Sequence, residues 1–299
     1  MCATFENMQI MRDQASTLRN LIQRQPASSN TSRPHARVVT FTSGKGGVGK
    51  SNLALNVAVA LSQLGARVCV LDANPGLSNI DLLCGLNCYW NLSHVLTGAK
   101  SLSEVILKGP EGINILPGAS GLIELADNSH RQSPELCEQI EMLESAYDFL
   151  IVDTGAGLQR SSSQFAVAAD VTFVVATPEP TAIADAYATL KSWHAEFSIC
   201  PEVIVNRAES EEQAVQILGR IAQTIELFLR CSAPTGCWVA EDDVVRQAVI
   251  ARQPFLLLAS DCVATKGVRQ IAKRLFAGPR SNQSESLIQR LSNCVIERI

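Results

Sequence analysis

Short apolar runs alternate with longer amphipathic stretches along most of this chain. Continuous runs rich in β-branched residues are typical of buried parallel strands, and apolar residues three and four positions apart are typical of helices. The pattern predicts strands over residues 38–42, 68–71, 113–116, 149–153, 171–176, 202–205, 237–239 and 255–258. It predicts helices between them, among them 135–146, 182–196 and 211–229. This alternation predicts a single α/β domain, with a mostly parallel sheet and helices on both faces.

An N-terminal extension precedes this core, which spans residues 37–277. Apolar residues at helical spacing predict a helix over residues 8–23, within an N-terminal region of residues 1–24. Residues 25–36 are polar and flanked by prolines, which is typical of a flexible linker.

The C-terminal region, residues 278–299, begins with a glycine and a proline that break the preceding pattern. Residues 286–299 then place apolar side chains along one helical face, which predicts an amphipathic helix. The polar side of this region carries charges of both signs: Glu285, Arg290, Glu297 and Arg298. A helix that binds a membrane surface is usually richer in basic residues. Binding to a membrane surface and packing on the core are therefore both open interpretations.

Composition narrows the class of protein. Of the 299 residues, 46% are hydrophobic, which is ample for one domain with a sizeable core. The net charge of −4 gives no reason to expect nucleic-acid binding. No run reaches the roughly 18 apolar residues needed to span a bilayer, and the N-terminus lacks a secretory signal pattern, so we expect a cytoplasmic protein. The ten cysteines include no C-x-x-C pair, which favours buried thiols over disulfides or zinc.

Residues 43–51 read Ser-Gly-Lys-Gly-Gly-Val-Gly-Lys-Ser and satisfy the phosphate-loop pattern G-x-x-x-x-G-K-[ST]. Backbone amides must approach a triphosphate closely, and residues without a Cβ permit that approach. The helix that follows directs its positive end at the anion, Lys50 neutralises the outer phosphates, and the Ser51 hydroxyl can hold Mg²⁺. The predicted nucleotide-binding residues are Gly44, Lys45, Gly46, Gly47, Val48, Gly49, Lys50 and Ser51. Strand, loop and helix in this order predict a P-loop NTPase type of fold.

Two carboxylates end strands that belong beside this loop. Asp72 closes Val-Cys-Val-Leu-Asp, and Asp153 closes Phe-Leu-Ile-Val-Asp before Thr-Gly-Ala-Gly157. Mg²⁺ keeps most of its waters, and carboxylates can orient it through them. The predicted metal site therefore consists of Ser51, Asp72 and Asp153. A glycine segment after Asp153 also suits a sensor of the third phosphate.

The loop, the segment Asp72–Asp81 and the segment Asp153–Gly157 resemble the MinD/ParA family of deviant-Walker ATPases over residues 37–277. The resemblance implies ATP and Mg²⁺ as cofactors and a face-to-face homodimer that ATP closes. In that dimer Lys45 would reach the phosphates of the other subunit.

The same resemblance assigns the base-contacting segments to residues 203–207 and 241–246. It implies Asn206 as the contact to the adenine edge, with Glu241 beside it.

One departure from the family concerns hydrolysis. The water-activating position, two residues after Asp72, is usually aspartate in that family, and this chain has Asn74. An amide can orient a water but cannot accept its proton. We therefore expect slow hydrolysis or dependence on a partner, with Lys45, Asp72 and Asn74 as the catalytic group.

Residues 13–19 resemble the D-Q-A-x-x-L-R element of the FlhG subfamily, whose members regulate flagellar number and placement. In that subfamily the element stimulates FlhF, a GTPase of the signal-recognition-particle class. The resemblance implies a contact to such a partner through Asp13, Gln14, Leu18 and Arg19.

The favoured interpretation is an ATP-dependent dimerisation switch that controls flagellar placement. If the last helix binds lipid, the ATP-bound form would attach to the inner face of the plasma membrane. Two alternatives are a general MinD/ParA-like positioning ATPase and an ATP sensor without significant hydrolysis. A metal-cluster carrier would require a C-x-x-C near the C-terminus, which is missing. A partitioning protein normally has a basic DNA-binding face, and the net charge counts against it.

Overall fold

A sheet of eight strands forms the centre of the computed structural model, which describes residues 35–74, 79–127, 134–197, 199, 201–230, 235–279 and 284–296. The strands are β1 (Arg37–Ser43), β2 (Val68–Ala73), β3 (Leu107–Lys108), β4 (Asn114–Pro117), β5 (Phe149–Ala156), β6 (Val171–Ala176), β7 (Glu202–Ala208) and β8 (Gly236–Ala240). Their order is β3-β4-β2-β5-β1-β6-β7-β8. All neighbours are parallel except β3 and β4. The predicted α/β fold with a mostly parallel sheet is confirmed.

Thirteen helices are found in the described part of the chain. They are α1 (Lys50–Gln63), α2 (Ile80–Leu83), α3 (Leu92–Leu96), α4 (Leu102–Val105), α5 (Gly121–Asp127), α6 (Pro134–Ser145), α7 (Arg160–Ala168), α8 (Pro180–Phe197), α9 (Glu211–Leu229), α10 (Asp243–Ala251), α11 (Phe255–Leu258), α12 (Val263–Ala277) and α13 (Leu287–Ile296). A 3₁₀ turn spans Pro110–Gly112. None of the described helices is long and apolar enough to cross a bilayer.

Strand β1 shows how the two faces of the sheet are filled. Val39 and Phe41 point into a core shared with α1 and α12, whereas Val38 points into a core shared with α5, α6 and α13. Alternate residues of a strand face opposite sides, so a strand covered on both faces is apolar throughout. This burial explains why continuous apolar runs predicted seven strands correctly.

The predicted strand over 255–258 is wrong, because these residues form the short helix α11. Four apolar residues fit either structure, and their surroundings decide between them. Leu256 donates its backbone N–H to Asn56 Oδ1 on α1, at 3.0 Å, instead of to a neighbouring strand. Phe255 and Leu256 are buried, while Leu258 is partly exposed, as on one side of a helix.

The helix α13 packs on the domain. Leu287, Ile288 and Leu291 are buried in the core formed with α5, α6 and α7. Of the two interpretations of residues 286–299, packing on the core is therefore the one that the described part of this segment adopts.

A buried charged group accompanies this packing. Arg290 on α13 lies 3.7 Å from Glu144 and 3.6 Å from Asp170, measured between nitrogen and oxygen, and Leu287 N–H donates to Glu144 at 2.9 Å. His35 Nδ1 lies 3.7 Å from the same Glu144. Burial raises the pKa of Glu144, although Leu287 N–H, Arg290 and His35 oppose the shift. The C-terminal helix and the first described residue thus meet at one carboxylate.

The N-terminal predictions lie almost entirely outside the described residues. This applies to the helix over 8–23, to residues 25–34 of the linker, and to the partner contacts Asp13, Gln14, Leu18 and Arg19.

Candidate nucleotide-binding site

The glycine loop connects the carboxyl end of β1 to the start of α1, in the middle of the sheet. Gly47 and Gly49 have φ values of 81° and 89°, in the left-handed region that glycine tolerates. A Cβ on Gly49 would overlap Asn206 Nδ2, and a Cβ on Gly44 would overlap the carbonyl of Asp185. The loop is therefore shaped by backbone conformation and by close packing at these positions.

A cavity of about 820 Å³ opens above this loop and is lined by residues 46–52 together with Asn74, Asn79, Arg207 and Arg252. Ligand pockets usually measure about 300–1,000 Å³, so a nucleotide is of suitable size. The first turn of α1 contains no acidic residue. The first N–H groups of a helix have no partner within the helix, and together with the positive dipole end they suit an anion.

Lys50 and Asp153 form a buried ion pair at the base of the cavity. Lys50 Nζ lies 2.6 Å from Asp153 Oδ1, and both side chains are buried. Burial raises the pKa of Asp153, while the positive charge of Lys50 and a hydrogen bond from Ser51 oppose the shift. Asp153 Oδ2 has no hydrogen-bond partner among the described residues.

These oxygens fit a magnesium ion. The orphaned Asp153 Oδ2 and the adjacent Ser51 hydroxyl are hard oxygen donors, the kind that Mg²⁺ prefers. Asp72 lies opposite Asp153 in the register of β2 and β5, so the predicted metal residues lie on adjacent elements.

The Asp72 carboxylate is fully buried and holds the chain that follows β2. Its Oδ1 accepts the Asn74 N–H at 3.2 Å, and its Oδ2 accepts the N–H groups of Asn79 and Ile80 at 2.9 and 3.0 Å. Asn74 lines the cavity from this position. Asp72 therefore orients Asn74 and the start of α2, in addition to the metal role predicted for it.

Lys45 points away from the base of the cavity. Its Nζ lies 3.0 Å from both Glu179 Oε2 and Thr181 Oγ1, at the start of α8. The Lys45 and Glu179 side chains are 41% and 59% exposed, so solvent screens this ion pair. The loop thus carries two lysines with different surroundings, Lys50 buried and Lys45 at the surface.

Asn206 supports the loop from β7. Its Nδ2 donates to the Val48 carbonyl at 2.8 Å, so the amide predicted to contact adenine also braces the loop. Glu241 N–H donates to the Ala208 carbonyl at the end of β7, which brings the second predicted base-side residue to the same edge.

Two arginines line the cavity: Arg207, which ends the predicted base-contacting segment 203–207, and Arg252, which sequence reasoning missed. Arg207 lies at the register shift between β7 and β8 with φ 59°, and its Nε is 3.9 Å from Glu241 Oε2. Arg252 ends α10 with φ 53°. Arg207 belongs to a segment that the family resemblance indicated, whereas no motif indicated Arg252.

The glycine loop follows a central parallel strand, a lysine and a serine open the next helix, and carboxylates end two strands. This arrangement defines a P-loop nucleotide-binding protein. Residues 36–194 match a family described as an AAA domain. The antiactivator FleN of Pseudomonas aeruginosa is 36% identical over 244 residues, which cover 81% of this chain and 87% of FleN. The flagellum site-determining protein YlxH of Helicobacter pylori is 38% identical over 182 residues, which cover 60% of this chain and 62% of YlxH.

Among solved structures, the MinC:MinD cell division protein complex of Aquifex aeolicus aligns with a TM-score of 0.62 at 25% identity. The alignment covers 84% of this chain and 100% of that one. The chain belongs to the MinD/ParA family of ATPases.

Proposed function

We propose that this protein is an ATP- and magnesium-dependent dimerisation switch that regulates flagellar placement or number. The observation that carries the proposal is the pair of lysines on one phosphate loop. Lys50 lies at the base of the cavity, where it would neutralise one triphosphate. Lys45 lies at the surface, in an ion pair that solvent screens. A surface cation at this point is useful when a second subunit presents its own triphosphate. The flagellar role is supported by the similarity to FleN and YlxH.

Binding of nucleotide changes the partners of Lys50. A phosphate in the loop competes with Asp153 for the Lys50 ammonium, which then neutralises the phosphate. The Asp153 carboxylate would then be released by Lys50 on one side, while its Oδ2 already has no partner among the described residues, so it could help to hold a magnesium ion. Magnesium, when bound, supplies positive charge to the phosphates. Ser51 and Asp153 would hold it, with Asp72 beside them.

Closure of the dimer changes the partners of Lys45. Its ion pair with Glu179 is exposed to solvent, and exposed pairs of this kind contribute about 0.2–1 kcal/mol to stability. Such a small cost lets Lys45 exchange Glu179 and Thr181 for the phosphates of a second subunit.

Hydrolysis in this site is slow, because Asn74 can orient a water but cannot take its proton. The same feature favours a second candidate function, an ATP sensor that closes and opens by exchange of nucleotide without significant turnover. A general MinD/ParA-like positioning role is the remaining alternative.

Two further partners belong to the proposal. Asp13, Gln14, Leu18 and Arg19 would contact a GTPase of the signal-recognition-particle class. Contact of residues 286–299 with a membrane surface would require α13 to leave the core, because Leu287 and Leu291 are buried there.

The test is size-exclusion chromatography with and without magnesium-ATP for wild type, Lys45→Ala and Lys100→Ala. Lys100 is a matched control, since it also forms a surface ion pair, with Glu104 at 2.9 Å. ATP should dimerise the wild type and Lys100→Ala but not Lys45→Ala, which should still bind nucleotide through Lys50. A dimer that forms equally without nucleotide would contradict the switch. Phosphate release measured on the same samples separates the slow ATPase from the sensor.

A further inference from the structure

Arg252 adopts a backbone conformation that glycine would adopt more easily. It ends α10 with φ 53° and ψ 45°, a left-handed conformation that is strained for a residue with a Cβ. The Arg252 side chain makes contacts that offset this strain. Its Nε donates to the Leu82 carbonyl at 3.1 Å, and its Nη2 donates to the Leu86 carbonyl at 2.9 Å.

These two bonds hold one end of α2, and Asp72 holds the other. The Asp72 carboxylate accepts N–H groups at the start of α2, and the Arg252 guanidinium donates to carbonyls at and after its end. Negative charge at the start and positive charge at the end both complement the helix dipole. A helix of four residues is not stable alone, so these contacts determine its position.

The segment held in this way forms one wall of the nucleotide cavity. Asn74, Asn79 and Leu82 line the cavity on this side, and Arg252 and Val249 line it from α10. The Asp72 carboxylate also bonds the Asn74 N–H, so a shift of α2 acts on Asn74 through Asp72.

We propose that Arg252 is a positioning residue that fixes α2 against α10 and thereby holds Asn74 in the orientation used for hydrolysis. The proposal rests on the nucleotide site proposed above. Two of the five guanidinium donors are bonded to the carbonyls of Leu82 and Leu86, and these bonds tie Arg252 to α2 and the residues that follow it.

Arg230 provides a matched control. It ends α9 in the same left-handed conformation, with φ 54° and ψ 29°, and is exposed. Glycine at position 230 or 252 relieves the same backbone strain, but only Arg252→Gly removes the bonds to α2. Arg252→Lys keeps the charge without the planar fork that bonds two carbonyls.

The experiment compares wild type, Arg252→Gly, Arg252→Lys and Arg230→Gly by amide hydrogen exchange without nucleotide, by ADP affinity, and by single-turnover ATP hydrolysis. In Arg252→Gly the amides of Leu83, Cys84 and Leu86 should exchange about tenfold faster or more, since two charge-assisted bonds are lost. The hydrolysis rate should fall about tenfold while ADP affinity changes less than about threefold, because truncating Arg252 removes positioning and not nucleotide binding. Arg252→Lys should be intermediate, and Arg230→Gly should match wild type.

If the amides across α2 exchange in Arg252→Gly as slowly as they do in wild type, the proposal is overturned. A large loss of ADP affinity with unchanged exchange would also overturn it and would make Arg252 a direct ligand. Failure of the wild type to bind nucleotide would instead refute the proposed function. The exchange result, obtained without nucleotide, would still decide whether Arg252 holds α2.

Discussion

Truncation of Leu291 to alanine should destabilise the whole domain, because α13 is part of its core. Leu291 is fully buried, in a cluster that includes Leu287, Leu122 and Phe165. Removing a buried leucine side chain beyond Cβ typically costs about 2–5 kcal/mol. In a domain of this size each kcal/mol lowers the Tm by about 2–4 °C, so we expect a fall of about 4–20 °C.

Circular dichroism melts and urea titration of wild type, Leu291→Ala and Asn293→Ala provide the measurement. Asn293 is exposed on the same helix, and its Nδ2 bonds only to the exposed Glu285 among the contacts described for it. Its truncation should change the free energy of unfolding by no more than about 0.5 kcal/mol. A large effect of Leu291→Ala beside a small effect of Asn293→Ala would establish that α13 is docked in solution.

An effect of Leu291→Ala no larger than that of Asn293→Ala would refute this reasoning. The helix would then be detached in solution, with its apolar face available to lipid. Flotation of the wild type with anionic vesicles, with and without ATP, would show whether that face is used.

Three other changes have definite expected outcomes. Burial raises the pKa of Glu144 above its ordinary 4.5, so between pH 4.5 and the raised pKa the folded state holds a proton that the unfolded chain has lost. The stability from this group is therefore present below pH 4.5 and falls as pH rises through the raised pKa. Urea titrations across pH should show a smaller fall in Glu144→Gln than in wild type, with the remainder from Asp153, whose pKa burial also raises. Gly49→Ala should abolish nucleotide binding, measured by calorimetry, and should lower the free energy of unfolding by about 1–3 kcal/mol, because φ is 89° and the new Cβ meets Asn206. Unchanged ADP affinity would contradict the loop geometry. Asn74→Asp supplies a proton acceptor and should raise phosphate release about tenfold or more; an unchanged rate would show that another step limits turnover.

The sequence predicted the sheet and the loop because their signals are local. Central parallel strands are buried on both faces, so runs such as Phe149–Ala156 are apolar along most of their length. The phosphate loop depends on glycines, a lysine and a serine within nine residues, and the structure brings them to one cavity.

What the sequence could not predict depends on distant partners. The apolar run 255–258 predicts a strand, but these residues form α11, and one partner that decides this, Asn56 on α1, is 200 residues away in the chain. Arg252 bonds to carbonyls 166 and 170 residues away, and no pattern around it indicates them. The strand β3 has two residues and the helix α2 has four. Both are too short to show a repeating pattern of apolar positions in the sequence.

The position of β1 has a consequence for synthesis of the protein. Its pairing partners are β5 and β6, more than a hundred residues later in the chain, where Arg37 pairs with Phe149 and Val39 pairs with Val171. Contacts so far apart form slowly and cannot form before both partners are made. At about 5–20 residues per second, the glycine loop waits roughly 6–26 s on the ribosome for the strands that hold it. Residues 13–19 are therefore synthesised well before the strands that complete the ATP site.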